Sequence, residues 1–201
     1  MIYLFGDSHA RYSFKNLPLV NIDKHHASIT MFRVGRDNEI INFNKGTIIK
    51  DDIIIFSYGE VDCRCHIQRQ IDSGKDEDYV INELVNKYFT TIINNTRFLD
   101  VKIIIVGIIP PTKRYDYETL HGPFLSAFPF VGRDEDRVRY TNKVNKIIQE
   151  LCISYKYMYF NPYSYYSRED GTLKHEFSDT RVHLKDNNHF IQSFIEFYKK
   201  L

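Results

Sequence analysis

The chain has 201 residues, and its 27 Lys and Arg nearly balance its 26 Asp and Glu, for a formal net charge of +1. This balance lacks the basic surface that attracts nucleic acids and anionic membranes, so we expect neither as a partner. A chain of this length can bury one substantial core, and we predict a single domain over residues 1–201.

Three cysteines, Cys63, Cys65 and Cys152, form neither an even disulfide framework nor a pair of Cys-x-x-Cys knuckles. We therefore predict reduced thiols. Cys63, Cys65 and His66 are spaced closely enough to hold a soft metal, but the same residues suit an ordinary loop after a strand, which we favour. We expect neither a metal nor a cofactor.

The amino terminus leads directly into an apolar run, without the basic segment and long apolar stretch of a signal peptide. The later apolar runs at 53–56 and 103–109 are too short to cross a bilayer. These features predict a cytoplasmic protein.

Four short apolar runs predict buried strands: residues 2–5, 53–57, 101–109 and 158–160. Apolar side chains at helical spacing predict helices over residues 77–98 and 134–155 and from Leu184 onward. Strands alternating with helices in this way indicate an α/β fold with a doubly wound parallel sheet.

The remaining segments have weaker patterns. Residues 10–15 are expected to start a helix, residues 19–22 and 27–32 are strand-like, and Gly35 follows in a turn. Residues 112–133 have no clear period but many aromatic side chains, which predicts a functional lid or a disordered insertion. The same aromatic side chains could equally pack down as a satellite core. The aromatic residues are Tyr115, Tyr117, Phe124, Phe128 and Phe130.

The segment Gly6-Asp7-Ser8-His9 directly follows the first predicted strand. Ligands of parallel sheets bind at the carboxyl ends of the strands, so Ser8 is a candidate nucleophile. The same residues also suit simple turn chemistry. Two later polar stretches lie at the ends of other elements, at residues 59–62 and 179–183. They favour a catalytic site over simple turn chemistry.

A serine nucleophile needs a base and a group that orients the base. Of the eight histidines, His183 is the best placed, because it precedes the last predicted helix at the same edge of the sheet. His9 is expected to be a local surface residue. Asp179 is the candidate acid; a backbone carbonyl could serve instead, and Asp186 is a more distant alternative.

The order of these blocks resembles the SGNH, or GDSL, hydrolase superfamily over nearly the whole chain. The resemblance implies a flavodoxin-like three-layer α/β/α sandwich around a mainly parallel sheet of about five strands. It assigns Ser8 as nucleophile and Asp179 with His183 as acid and base. It also places Gly35 and the block Gly59-Glu60-Val61-Asp62 at the oxyanion and substrate region.

The sequence departs from this family where an asparagine usually donates its side-chain amide to the oxyanion. Val61 or Asp62 stands there, and an ionised Asp62 would repel an oxyanion. Losing one oxyanion donor costs on the order of 3 kcal/mol. Arg64 could pair with Asp62 and supply an N–H, with His66 as a second donor, but Glu60, Asp62 and Arg64 could equally form a structural ion-pair network.

A second departure is the spacing of the acid. Asp179 stands four residues before His183, whereas the family acid stands three residues before its histidine, where this chain has Thr180. We expect the loop to absorb the extra residue.

The leading functional hypothesis is a serine esterase that removes small acyl groups, most simply acetyl, from a small-molecule or glycan ester. The backbone N–H groups of Ser8 and Gly35 would hold the oxyanion. An O-acyltransferase would use the same acyl-enzyme and exclude water. A catalytically impaired carbohydrate-binding module is the alternative from a different class.

Overall fold

Five parallel strands form the central sheet of the computed structural model, which describes residues 1–17, 22–25, 29–38, 48–185 and 187–200. Its strand order is β2-β1-β3-β4-β5, with every neighbouring pair parallel. This flavodoxin-like order confirms the predicted fold class. The strands are β1 (Ile2–Gly6), β2 (Ile22–His25), β3 (Ile53–Ser57), β4 (Lys102–Val106) and β5 (Met158–Phe160).

Eight α-helices are found in the described part of the chain, together with a π-helical turn at Asp62–His66 and a 3₁₀ turn at His175–Phe177. The predicted helices over 77–98 and 134–155 are confirmed, and the last helix begins at Asn188 rather than at Leu184. The helices are α1 (Ser8–Ser13), α2 (Met31–Asp37), α3 (Ile67–Asp72), α4 (Glu77–Thr96), α5 (Arg114–His121), α6 (Asp134–Tyr155), α7 (Tyr163–Tyr166) and α8 (Asn188–Tyr198).

Helices cover both faces of the sheet because the central strands carry continuous apolar runs, such as residues 53–56 and 103–106. In β3, Ile54 and Phe56 belong to the core shared with α2, α4 and α6. Ile53 and Ile55 point to the opposite face and pack with residues of α1 and α8. Side chains alternate between the faces of a strand, so a continuous apolar run needs this two-sided cover.

The strand predicted over 27–32 is wrong at its carboxyl end, since Met31 begins α2. The side chain of Thr30 caps this helix by accepting the Arg33 N–H at 3.2 Å. The predicted turn at Gly35 is also wrong, because Gly35 lies inside the same helix. Residues 18–21 and 26–28, which fall within the two strand-like runs, lie outside the described residues.

The aromatic segment 112–133 packs as a satellite core, one of the alternatives that the sequence leaves open. It contains α5, and Tyr117, Phe124 and Phe130 contact one another. Val182, which precedes His183, completes the cluster. The segment is therefore packed against the loop that carries the candidate base.

Within the described ranges, no helix combines the length and the apolar composition needed to span a membrane.

Candidate active site

The structure brings Ser8, His183 and Asp179 together at the carboxyl edge of the sheet. Ser8 opens α1 directly after β1, and its Oγ lies 3.0 Å from Nε2 of His183. The other ring nitrogen of His183, Nδ1, lies 3.2 Å from Oδ2 of Asp179. A hydroxyl, an imidazole and a carboxylate in this order can activate a serine for attack on a carbonyl carbon.

The loop absorbs the extra residue between acid and base by turning on the Asp179 carboxylate. Its Oδ1 accepts the backbone N–H groups of Arg181 at 2.8 Å and His183 at 3.0 Å. Thr180 takes a left-handed conformation with φ of 67°. Asp179 can therefore orient His183 despite the spacing, while Asp186 lies outside the described residues.

The surroundings of His183 favour its neutral form. Burial lowers the pKa of His183 below its ordinary value, although the hydrogen bond with Asp179 opposes this shift. Burial also acts on Asp179, but hydrogen bonds from His183 and Arg181 outweigh it and lower the pKa of that carboxyl. At neutral pH, His183 is an unprotonated base facing an ionised acid.

His9 is not the surface residue that the sequence predicts. Its side chain is buried, with 6% of the residue exposed, and its ring centroid lies 4.6 Å from that of His183. Nε2 of His9 donates to the carbonyl of Val182 at 2.9 Å and lies 3.1 Å from Oε2 of Glu60. The backbone direction at the start of α1 turns His9 inward because Asp7 caps the helix and accepts the His9 N–H at 2.8 Å.

Asp62 acts in the structure as a cap for α2. Its fully buried carboxylate accepts the N–H of Met31 at 2.7 Å and that of Phe32 at 3.3 Å. His66 lies 3.1 Å from the same carboxylate, and this hydrogen bond raises the pKa of His66 to about 10. These three donors stabilise the ionised carboxylate, but burial outweighs them and raises the pKa of Asp62 above its ordinary value.

Arg64 pairs with Glu60 and not with Asp62, so the predicted pairing is wrong. Its Nε lies 3.2 Å from Oε1 of Glu60, and both side chains are 5% exposed. The guanidinium also lies over the Phe124 ring, 5.3 Å from the centroid. Arg64 is thus connected to His9 through Glu60, in a buried charge cluster next to the nucleophile.

The two glycines assigned to the oxyanion region have packing roles. Gly35 lies where α2 crosses α4, and a Cβ there would be 2.9 Å from Cβ of Lys87 and 3.0 Å from the backbone N of Tyr88. Its N–H lies in the interior of α2, where the helical hydrogen-bond pattern supplies a backbone acceptor, so this position favours packing over oxyanion binding. Gly59 follows β3 with φ of +123°, a conformation that side chains rarely adopt.

Gly35→Ala is expected to lower the free energy of unfolding by about 1–3 kcal/mol, because the methyl group would force α2 away from α4. The folded variant should keep its turnover. Chemical denaturation and a rate assay on the same preparation measure both quantities. Unchanged stability with lost turnover would contradict this packing role and restore Gly35 as an oxyanion donor.

Sequence reasoning missed the contact of Tyr12 with His183 and the contact of Glu60 with His9. The Tyr12 ring stacks on His183 with centroids 4.2 Å apart and an interplanar angle of 17°. Its position one helical turn after Ser8 could have signalled this contact, since residues four apart share a helix face. The pairing of Glu60 with Arg64, four residues later, belongs to the ion-pair network that the sequence left open. The contact of Glu60 with His9 carried no such signal, because His9 lies in a distant segment of the chain.

A cleft of about 320 Å³ lies between α2, α3 and α4. Phe32, Asp62 and His66 line one part of it, whereas Ser8 and His183 do not contribute. No cluster of three or more metal-ligating His, Cys, Asp or Glu side chains occurs in the described ranges. Cys63, Cys65 and Cys152 are buried free thiols.

No family model and no curated protein matches the sequence. Solved structures match it over nearly its full length. One match is a Streptococcus pneumoniae protein described as a platelet activating factor. It has a TM-score of 0.65 and 15% identity, over 98% of this chain and 82% of that one. A GDSL-like lipase from Bacteroides thetaiotaomicron has a TM-score of 0.62 and 13% identity, over 100% and 88%.

A member of the lipolytic G-D-S-L family from Veillonella parvula has a TM-score of 0.55 and 15% identity, over 100% of this chain and 98% of that one. The chain therefore has the fold of the SGNH/GDSL hydrolases. This agreement confirms the resemblance at the level of the fold, and the chemistry must be argued from the site.

Proposed function

We propose that the protein is a serine ester hydrolase that works through an acyl-enzyme on Ser8. The observation that carries the proposal is the continuous set of contacts from Ser8 Oγ to His183 Nε2 at 3.0 Å and from His183 Nδ1 to Asp179 Oδ2 at 3.2 Å. Neutral His183 accepts the hydroxyl proton as Ser8 Oγ attacks the ester carbonyl carbon.

The tetrahedral intermediate collapses when the protonated His183 gives its proton to the leaving alkoxide, which departs as an alcohol. Water then attacks the acyl-Ser8 ester, again through His183, and releases the carboxylic acid and the free hydroxyl. Asp179 stabilises the imidazolium in both steps. The N–H of Ser8 occupies the first helical position, where it has no acceptor within the helix, and serves as one oxyanion donor.

We propose a small acyl group, most simply acetyl, on a glycan or another hydroxylated compound. Tyr12 is 40% exposed beside His183, and Tyr115 is 71% exposed on α5. Exposed aromatic faces of this kind suit the apolar face of a sugar ring. Tyr117, Phe124 and Phe130 pack with one another and with Val182, the residue before His183.

The first test is release of p-nitrophenolate from p-nitrophenyl acetate, with products analysed in the presence and absence of an acceptor alcohol. Hydrolysis to acetate in both reactions is expected. Dominant transfer to the alcohol would instead identify an O-acyltransferase. Glycan binding with no turnover of any ester would favour a binding module. The presence of Val61 or Asp62 in place of the family asparagine supports that alternative.

The rate of the esterase is expected to rise with pH as His183 loses its proton. Because the pKa of His183 lies below the ordinary 6.5, the acid limb of kcat/KM should have its midpoint below 6.5. The pKa of Asp179 is lowered from 3.8, so this carboxylate stays ionised across that limb. A kcat/KM profile from about pH 5 to about pH 8 measures the midpoint, and a midpoint above 6.5 would contradict the assignment.

A further inference from the structure

We propose that His9 is a positioning residue for His183: held as a cation between Asp7 and Glu60, it keeps the neighbouring imidazole neutral and anchors the loop that carries it. The inference rests on the proposed function, since it concerns the base of the same reaction. It assigns a role to the buried charge cluster of His9, Glu60 and Arg64, whose members take no direct part in the proposed reaction.

The contacts of His9 favour the doubly protonated ring. Nε2 faces two acceptors, the Val182 carbonyl at 2.9 Å and Oε2 of Glu60 at 3.1 Å, and therefore carries a proton. Nδ1 lies 3.5 Å from Oδ1 of Asp7. Both carboxylates are buried, so their attraction for a cation is screened only weakly by solvent.

The charges around His9 come from three neighbouring segments. Burial by itself would lower the pKa of His9, but Glu60, followed by Asp7, raises it above its ordinary value, with Arg64 acting in the opposite direction. His183 is the fourth titratable neighbour, across the ring contact. Glu60 contacts both His9 and Arg64, so one buried carboxylate is shared by two cations.

The effect on His183 follows from the 4.6 Å separation of the two rings. Adding a proton to His183 would place two imidazolium rings side by side, which like-charge repulsion disfavours. Burial and His9 lower the pKa of His183, whereas the hydrogen bond that His183 donates to Asp179 and the charge of Glu60 act in the opposite direction. The stacked Tyr12 ring covers another side of the imidazole.

His9 also helps to hold the loop that carries His183 in place. The hydrogen bond from His9 to Val182 ties α1 to the residue immediately before His183. Val182 also packs with Tyr117 and Phe130. The backbone that sets the direction of the His183 ring is therefore held from two sides, which limits the positions of Nε2 relative to Ser8.

The ionisation of His9 is tested on the unmodified protein by ¹⁵N NMR of the histidine rings during a pH titration. We expect an imidazolium spectrum for His9 at neutral pH, where His183 already has the spectrum of a neutral ring. A neutral His9 at that pH would overturn the proposal. This readout needs no substrate, so it is independent of whether the protein is an esterase.

The coupling is tested with His9→Gln, whose amide N–H can still reach the Val182 carbonyl but carries no charge. We expect the ratio of kcat/KM at about pH 8 to that at about pH 6 to rise by about threefold or more, because His183 becomes easier to protonate. The control is His175→Gln, an exposed histidine on the 3₁₀ turn, which should leave the ratio unchanged.

An equal loss of kcat/KM at every pH would show a purely structural role and overturn the electrostatic part of the proposal. If His9→Gln fails to fold, His9→Asn and the NMR titration of the unmodified protein decide the question. Failure of the esterase itself would be visible separately, as absence of turnover in the unmodified protein with the His9 imidazolium spectrum intact.

Discussion

Ser8→Ala is expected to lower kcat for ester hydrolysis by about 10⁴-fold or more, because it removes the hydroxyl that lies against the His183 base and would carry the acyl group. His183→Ala should cause a similar loss, since the Ser8 hydroxyl would then have no base at 3.0 Å. The double variant should be little worse than either single one, because the two groups act in the same step. Initial rates with p-nitrophenyl acetate measure all three.

The matched control is Ser154→Ala, which removes an exposed serine hydroxyl of α6 that donates to the Glu150 carbonyl at 3.0 Å. It should retain full activity. Circular dichroism establishes that each variant is folded. Turnover that survives in folded Ser8→Ala would contradict the assignment of Ser8 as nucleophile.

Asp62→Ala is expected to lower the free energy of unfolding by about 3–5 kcal/mol, the usual effect of removing one partner of a buried ion pair. The substitution leaves the N–H groups of Met31 and Phe32 without their acceptor at the start of α2. It also leaves His66 without the carboxylate that holds its proton. Equilibrium unfolding in urea measures the loss.

Asp62→Asn separates the contributions of charge and hydrogen bonding. Its amide oxygen can still accept an N–H from α2, so its stability should lie between those of Asp62→Ala and the unmodified protein. If Asp62 were instead part of the oxyanion region, Asp62→Asn would change turnover strongly while leaving stability nearly unchanged. That outcome would contradict the capping role.

The sheet and the long helices were predictable because their patterns are local and continuous. The first four residues of Ile53–Ser57 are all apolar, a pattern typical of a strand that is covered on both faces. Helix α6 spans 22 residues, enough turns for its apolar period to be read. Helix α2 has seven residues, and its start is fixed by Asp62 from a distant segment, so its sequence alone looked strand-like.

The site was predictable only in part, because some of its contacts join segments that are distant in the sequence. A parallel sheet gathers the carboxyl ends of its strands, which allowed Ser8, Asp179 and His183 to be predicted as neighbours. Nothing local distinguishes a glycine that packs two helices from one in a turn, so Gly35 was assigned wrongly. The burial of His9 depends on Glu60, which only the folded chain brings to it.

The most direct test of the central claim is reaction of the unmodified protein with a fluorophosphonate, followed by peptide mapping by mass spectrometry. This reagent forms a stable adduct with a serine whose hydroxyl is activated by a neighbouring base. The proposed function predicts one adduct, on Ser8, that is lost in folded His183→Ala. No adduct, or an adduct on another serine with Ser8 unmodified, would contradict it.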